Sequence, residues 1–106
     1  MTQLTAIDLF SIKDKVVVIT GASSGLGVSF AEAFSQAGAD VAMGARRLDR
    51  LAQTASLVRA NGRRALPVAT DVADPDSCQA LVDSTIAEFG QVDVLINNAG
   101  IGTAAP

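Results

Sequence analysis

Val16-Val17-Val18-Ile19-Thr20-Gly21-Ala22-Ser23-Ser24-Gly25-Leu26-Gly27 is the stretch whose reading decides the fold. The unbroken apolar run makes Lys15–Thr20 a strand buried on both faces. A helical stretch from about Ser24 to Ala37 follows. It carries Leu26, Phe30, Ala31, Phe34 and Ala37 at helical spacing, with Gly38 as its stop. A strand that breaks into glycines and reopens as a helix can hold a phosphate. Gly21 permits a tight turn, Gly25 admits a close approach to the backbone, and Gly27 lets the helix pack close to the strand. The first N–H groups of that helix lack intrahelical acceptors, and the helix dipole is positive there. The bland alternative is an ordinary strand-to-helix turn, and the glycines alone do not decide between the two.

The rest of the chain repeats the alternation. A second strand is expected at Asp40–Ala45, then a helix over Leu48–Asn61 with Leu48, Leu51, Ala52, Ala55 and Val58 as its apolar stripe and Gly62 as its end. A third strand at Ala65–Thr70 contains Pro67, which places it at a sheet edge. Asp74-Pro75 reads as an N-cap and first helical residue. The helix they open runs to Phe89, with Cys78, Leu81, Val82, Ile86 and Phe89 on one face. A fourth strand is expected at Val92–Ile96. The pattern is βαβαβαβ, so the strands are parallel with right-handed crossovers. The fold class is α/β, a doubly wound parallel sheet of strand order 3-2-1-4. Its ligand crevice lies where strands 1 and 4 diverge at their carboxyl ends.

Composition narrows the function. The chain has 106 residues, 49% of them hydrophobic, enough for one core and too apolar for disorder. With a net charge of −3 and no basic patch beyond two Arg pairs, nucleic acid is excluded as a partner. Arg63-Arg64 reads as a solvated turn pair. No apolar run is long enough to span a membrane, and Met1–Thr5 lacks the positive start of a secretory leader. The single Cys78 suits a reducing, cytoplasmic setting and reads as a core residue. There is no His, Trp or Tyr, and no metal site is expected.

Four strand ends are expected on one rim, carrying the glycine turn, Ala45-Arg46-Arg47, Asp71-Val72 and Asn97-Asn98-Ala99-Gly100. The Gly21-x-x-x-Gly25-x-Gly27 spacing, with Asp71-Val72 and Asn97-Asn98-Ala99-Gly100 in their places, resembles the short-chain dehydrogenase/reductase family from about Phe10 to Ile101. The resemblance implies a nicotinamide dinucleotide site. Gly21, Ser23, Ser24, Gly25, Leu26 and Gly27 would wrap the pyrophosphate. Asp71 would accept from the adenine amino group, with Val72 on the ring, while Asn98, Ala99 and Gly100 would line the nicotinamide-side ribose through their backbone. Asn97 is expected to be structural, bonding to neighbouring strand backbone. Ala45 is neutral where a carboxylate would select NAD, and an Arg fork binds phosphate. NADP(H) is therefore the expected cofactor, with NAD less favoured, Arg46 as the main 2′-phosphate contact and Arg47 secondary.

The resemblance further implies hydride transfer to or from a carbonyl or alcohol substrate, using a Tyr and a Lys. This chain has no Tyr, and its only lysines, Lys13 and Lys15, precede the first strand, so no catalytic residue can be assigned. The expectation is the amino-terminal cofactor-binding part, residues 1–106, of a single Rossmann domain, inactive by itself. Its end at Thr103-Ala104-Ala105-Pro106 suits a chain that continues. The alternatives are a non-catalytic nucleotide-binding module and an engineered half-fold. Homo-oligomerisation is expected from the family, and an unpaired fourth strand is expected to self-associate.

Overall fold

The computed structural model describes residues 12–23 and 25–98. In chain order the elements are β1 Val16–Thr20, α1 Gly25–Gln36, β2 Asp40–Ala45, α2 Leu48–Ala60, β3 Ala65–Ala69, α3 Pro75–Phe89 and β4 Val94–Asn97. They form one parallel sheet of order β3-β2-β1-β4, as the alternation requires.

Every residue of β1 and β2 is buried, which is why their sequences are apolar without alternation. Val17, Ile19, Val41 and Met43 pack with Phe34 of α1 and with Leu51, Ala55 and Val58 of α2. Val18 and Ala42 point the other way and meet Leu81 of α3. The sheet is thus covered by α1 and α2 on one face and by α3 on the other. Pro67 lies on β3, at the edge, where its missing N–H costs no ladder bond to an outer neighbour. Asp74 caps α3 by accepting from the Asp76 N–H at 3.0 Å, and Gly90 closes it at φ 84°.

Three expectations are corrected. β4 begins at Val94, because Asp93 already serves as a clamp. Its carboxylate accepts from the Val16 N–H at 2.8 Å, and its own N–H donates to the Val16 carbonyl at 2.9 Å. The helix stripes are narrower than their spacing suggested. α3 packs on β1, β2 and β3, so Leu81 and Thr85 are buried while Ile86 is exposed and Cys78 only half-buried. On α2, Leu48 and Ala52 are exposed, and Leu51, Thr54, Ala55 and Val58 face the core.

The third correction concerns Arg63 and Arg64, which are structural. Asp40, buried at the start of β2, accepts from the Arg64 Nη2 at 2.7 Å, its Nε at 2.9 Å and its backbone N–H at 2.9 Å. Arg63 Nε stands 3.2 Å from the same carboxylate, at ion-pair range but off the hydrogen-bond angle, and Arg63 Nη2 reaches Asp14 at 3.3 Å. The Arg64 guanidinium lies 4.5 Å over the Phe89 ring. Burial alone would push the Asp40 carboxyl up. The bonds from Arg64 and the charges of Arg63 and Arg64 outweigh it and hold the carboxyl below its ordinary value.

Candidate functional site

The carboxyl ends of the four strands meet on one rim, and the glycine turn is its centre. β1 ends at Thr20, and Gly21 turns the chain at φ 68° while its N–H donates to the Gly44 carbonyl of β2 at 2.8 Å. Two loop carbonyls are then taken by side chains from elsewhere. Asn98 Nδ2 donates to the Gly21 carbonyl at 3.1 Å, and Thr54 Oγ1, on α2, donates to the Ala22 carbonyl at 2.8 Å. Gly27 closes the turn from the helix side. A Cβ there would strike the Gly21 carbonyl and the Ala22 backbone, so Gly27 packs on the turn itself rather than on the strand behind it. Gly25 has φ +56°, and a Cβ placed on it would meet nothing within 4 Å among the described residues, so the space beside the start of α1 is open there. Leu26 is 51% exposed at the start of that helix and takes no part in the core stripe.

β2 delivers Arg46 and Arg47 to the same rim. The Thr70 N–H donates to the Ala45 carbonyl at 2.8 Å, which brings the end of β3 alongside, and Arg46 Nη2 reaches Asp71 Oδ1 at 3.4 Å. Asp71 is further held in place, since its carboxylate accepts from the Ala73 N–H at 3.0 Å and its own N–H donates to Ser77 Oγ at 2.8 Å. Val72 beside it is exposed. Arg47 turns away from this pair and donates to both oxygens of Asp49, at 3.3 and 3.0 Å. Those bonds hold the Asp49 carboxyl below its ordinary value. Cys78 is no core residue. Its Sγ lies against the Val72 and Asp71 carbonyls at 3.7 and 4.0 Å.

At the end of β4, Asn97 is structural through a different partner from the one expected, for Thr20 Oγ1 donates to its Oδ1 at 3.0 Å. Asn98 engages the glycine turn with its side chain. Gly21, Ser23, Gly25, Leu26, Gly27, Arg46, Asp71, Val72 and Asn98 therefore share one rim, while Ser24, Ala99 and Gly100 lie outside the described residues. Thr54 was missed by the sequence reading. Its signal was a hydroxyl at the i+3 position of the stripe Leu51–Ala55–Val58, where an apolar residue was due.

An open helix start, a turn on which Gly27 packs without a side chain, a guanidinium at the next strand end and uncovered apolar Leu26 and Val72 together suit a ligand with an anionic middle and a flat apolar end. Comparison with known proteins shows the family. Residues 15–106 match the short chain dehydrogenase family. The chain belongs to that family.

An uncharacterized oxidoreductase of Mycobacterium tuberculosis is 45% identical over 94 residues, covering 89% of this chain and 36% of that protein. The structure of L-sorbose reductase from Gluconobacter frateurii, complexed with NADPH and L-sorbose, superposes with a TM-score of 0.80 at 46% identity, covering 89% of this chain and 36% of that one. Carveol dehydrogenase from Mycobacterium avium, in complex with NAD, gives a TM-score of 0.81 at 32% identity over 90% of this chain and 39% of that one. This short-chain dehydrogenase sequence thus spans about a third of the length of the relatives it matches, and its sheet is the Rossmann arrangement they share. No helix among its described residues is long and apolar enough to cross a membrane.

Proposed function

We propose that this chain is the dinucleotide-binding part of a single Rossmann domain in a short-chain dehydrogenase/reductase, and that it binds NADP(H) in preference to NAD(H). When bound, a nicotinamide dinucleotide supplies the two-electron chemistry that interconverts a carbonyl and an alcohol. The chain's own residues bind and orient. Backbone N–H groups of the turn at Gly21–Gly27 and the start of α1 receive the pyrophosphate. Asp71 accepts from the adenine amino group, Val72 packs on the ring, and Asn98 with Ala99 and Gly100 lines the second ribose.

The observation that carries the cofactor preference is Arg46 at the end of β2, beside neutral Ala45, on the rim that holds the glycine turn. Its contact with Asp71 joins two well-exposed groups and contributes about 1 kcal/mol or less. A doubly charged phosphate can therefore take the guanidinium from that partner. NADPH in the L-sorbose reductase complex supports this reading. The test is the affinity of Arg46→Asp for NADPH and NADH. The expected result is a preference shifted toward NADH by roughly tenfold or more, the scale of one charge-assisted bond. An unchanged ratio removes Arg46 from the 2′-phosphate site.

A further inference from the structure

One of the polar side chains that hold the glycine turn comes from α2, outside the turn. Thr54 is 1% exposed, and its Oγ1 donates to the Ala22 carbonyl at 2.8 Å, across 32 residues of sequence. Three other helical hydroxyls donate locally instead. Ser29, Ser56 and Thr85 each turn back to the carbonyl four residues earlier in their own helix. Thr54 leaves its helix and pins the loop.

We infer that Thr54 is a positioning residue for the anion-binding turn, setting the direction of the Ser23 N–H; this rests on the dinucleotide reading above. A trans peptide is planar, so its C=O and N–H point in opposite directions. The bond to Thr54 draws the Ala22 carbonyl inward, toward the buried face of α2. The N–H on the same peptide belongs to Ser23, and it is thereby aimed outward. The preceding peptide is set in the same way, with the Gly21 carbonyl held by Asn98 at 3.1 Å and the Ala22 N–H opposed to it. The turn therefore has two consecutive donors whose directions are fixed by side chains on two other elements. Gly27 packs closely on the Gly21 carbonyl and the Ala22 Cα, while the Ala22–Ser23 peptide itself is held by the Thr54 bond. Without the Thr54 hydroxyl the Ala22 carbonyl is buried and unpaired, and the peptide gains by flipping toward any donor or water, which turns the Ser23 N–H away from the anion.

The test uses the whole chain as Thr54→Val, Thr54→Ala and Thr54→Ser. Three quantities are read: the Kd for NADPH, the Kd for adenosine 2′-monophosphate, which lacks the pyrophosphate, and amide hydrogen exchange at Ala22 and Ser23 in the NADPH complex, where the bound anion protects them. Thr54→Val weakens NADPH about tenfold, the scale of one buried hydrogen bond. It leaves adenosine 2′-monophosphate unchanged and speeds exchange at Ala22 and Ser23, but not in β1 or β2. Thr54→Ser, which keeps the hydroxyl, restores all three. Thr54→Ala repeats the Thr54→Val result, and either one that folds suffices. A lower Tm with unchanged NADPH affinity and unchanged Ala22 and Ser23 exchange, or equal weakening of both ligands, overturns the assignment. A parent chain that binds neither NADPH nor NADH overturns the dinucleotide reading itself, and is distinguished by needing no variant.

Discussion

Asp40 shows how a single residue serves two strands. Its carboxylate, buried at the start of β2, bonds both the backbone and the side chain of Arg64, just before β3, and stands within ion-pair range of Arg63. Asp40→Asn keeps the shape but loses the charge that holds both guanidinia. We expect it to destabilise the chain by about 2 kcal/mol, on the scale of charged hydrogen bonds and broken buried pairs. The urea midpoint measures this. The pH dependence follows with a definite sign. A carboxyl depressed in the folded state contributes stability above its unfolded value, here 3.8, and that contribution is lost as pH falls through the lower folded value. Stability therefore declines on acidification below about pH 4, and Asp40→Asn flattens the decline. Asp93, depressed chiefly by its bond from the Val16 N–H, acts in the same direction.

At the scale of elements, α3 is the one whose limits are set most locally. Asp74 and Pro75 mark its start in the sequence, and the structure keeps both roles, with Gly90 closing it. Its cap is therefore separable from the rim chemistry. Asp74→Ala is expected to cost about 1 kcal/mol in a thermal or urea melt. The affinity ratio for the two dinucleotides should stay put, because Asp71 is held by Ser77, Ala73 and the backbone N–H of Asp74, none of which needs the Asp74 side chain. A changed ratio would mean that the α3 start and the Asp71 loop move together. The faces of the helices were less legible than their ends. Spacing alone put Ile86 and Leu48 on buried stripes, yet Ile86 lies outside the cover α3 gives the sheet, and Leu48 opens α2 at the exposed rim. A period of 3.6 shows that an apolar stripe exists, while its buried width depends on how many strands the helix crosses.

For the whole molecule, the uncovered surface is at β4. No strand among the described residues pairs with its outer edge, and Leu95, in register with Val18, is 56% exposed on the α3 side of the sheet. An open edge beside an apolar side chain favours pairing with another copy. We expect the isolated 106-residue chain to self-associate, and Leu95→Lys to shift its sedimentation toward monomer at equal concentration. A monomeric parent chain would contradict this.

The sequence by itself determined the α/β class and the strand order. Each rests on residues close together in the chain: an apolar run, three glycines at fixed spacing, a cap, and a proline that cannot sit in a central strand. The glycine turn was legible because its conformation is local. Only the tertiary structure decided what holds that turn. Thr54 reads as one more position on a helix until α2 is laid against Ala22, 32 residues away, and Asn98 meets Gly21 only once β4 lies beside β1. Likewise Arg63 and Arg64 read as a solvated pair until β2 brings Asp40 under them. Local conformational preference writes itself into short stretches. A hydrogen bond between distant segments leaves only a polar residue where an apolar one was due, and the fold alone supplies its partner.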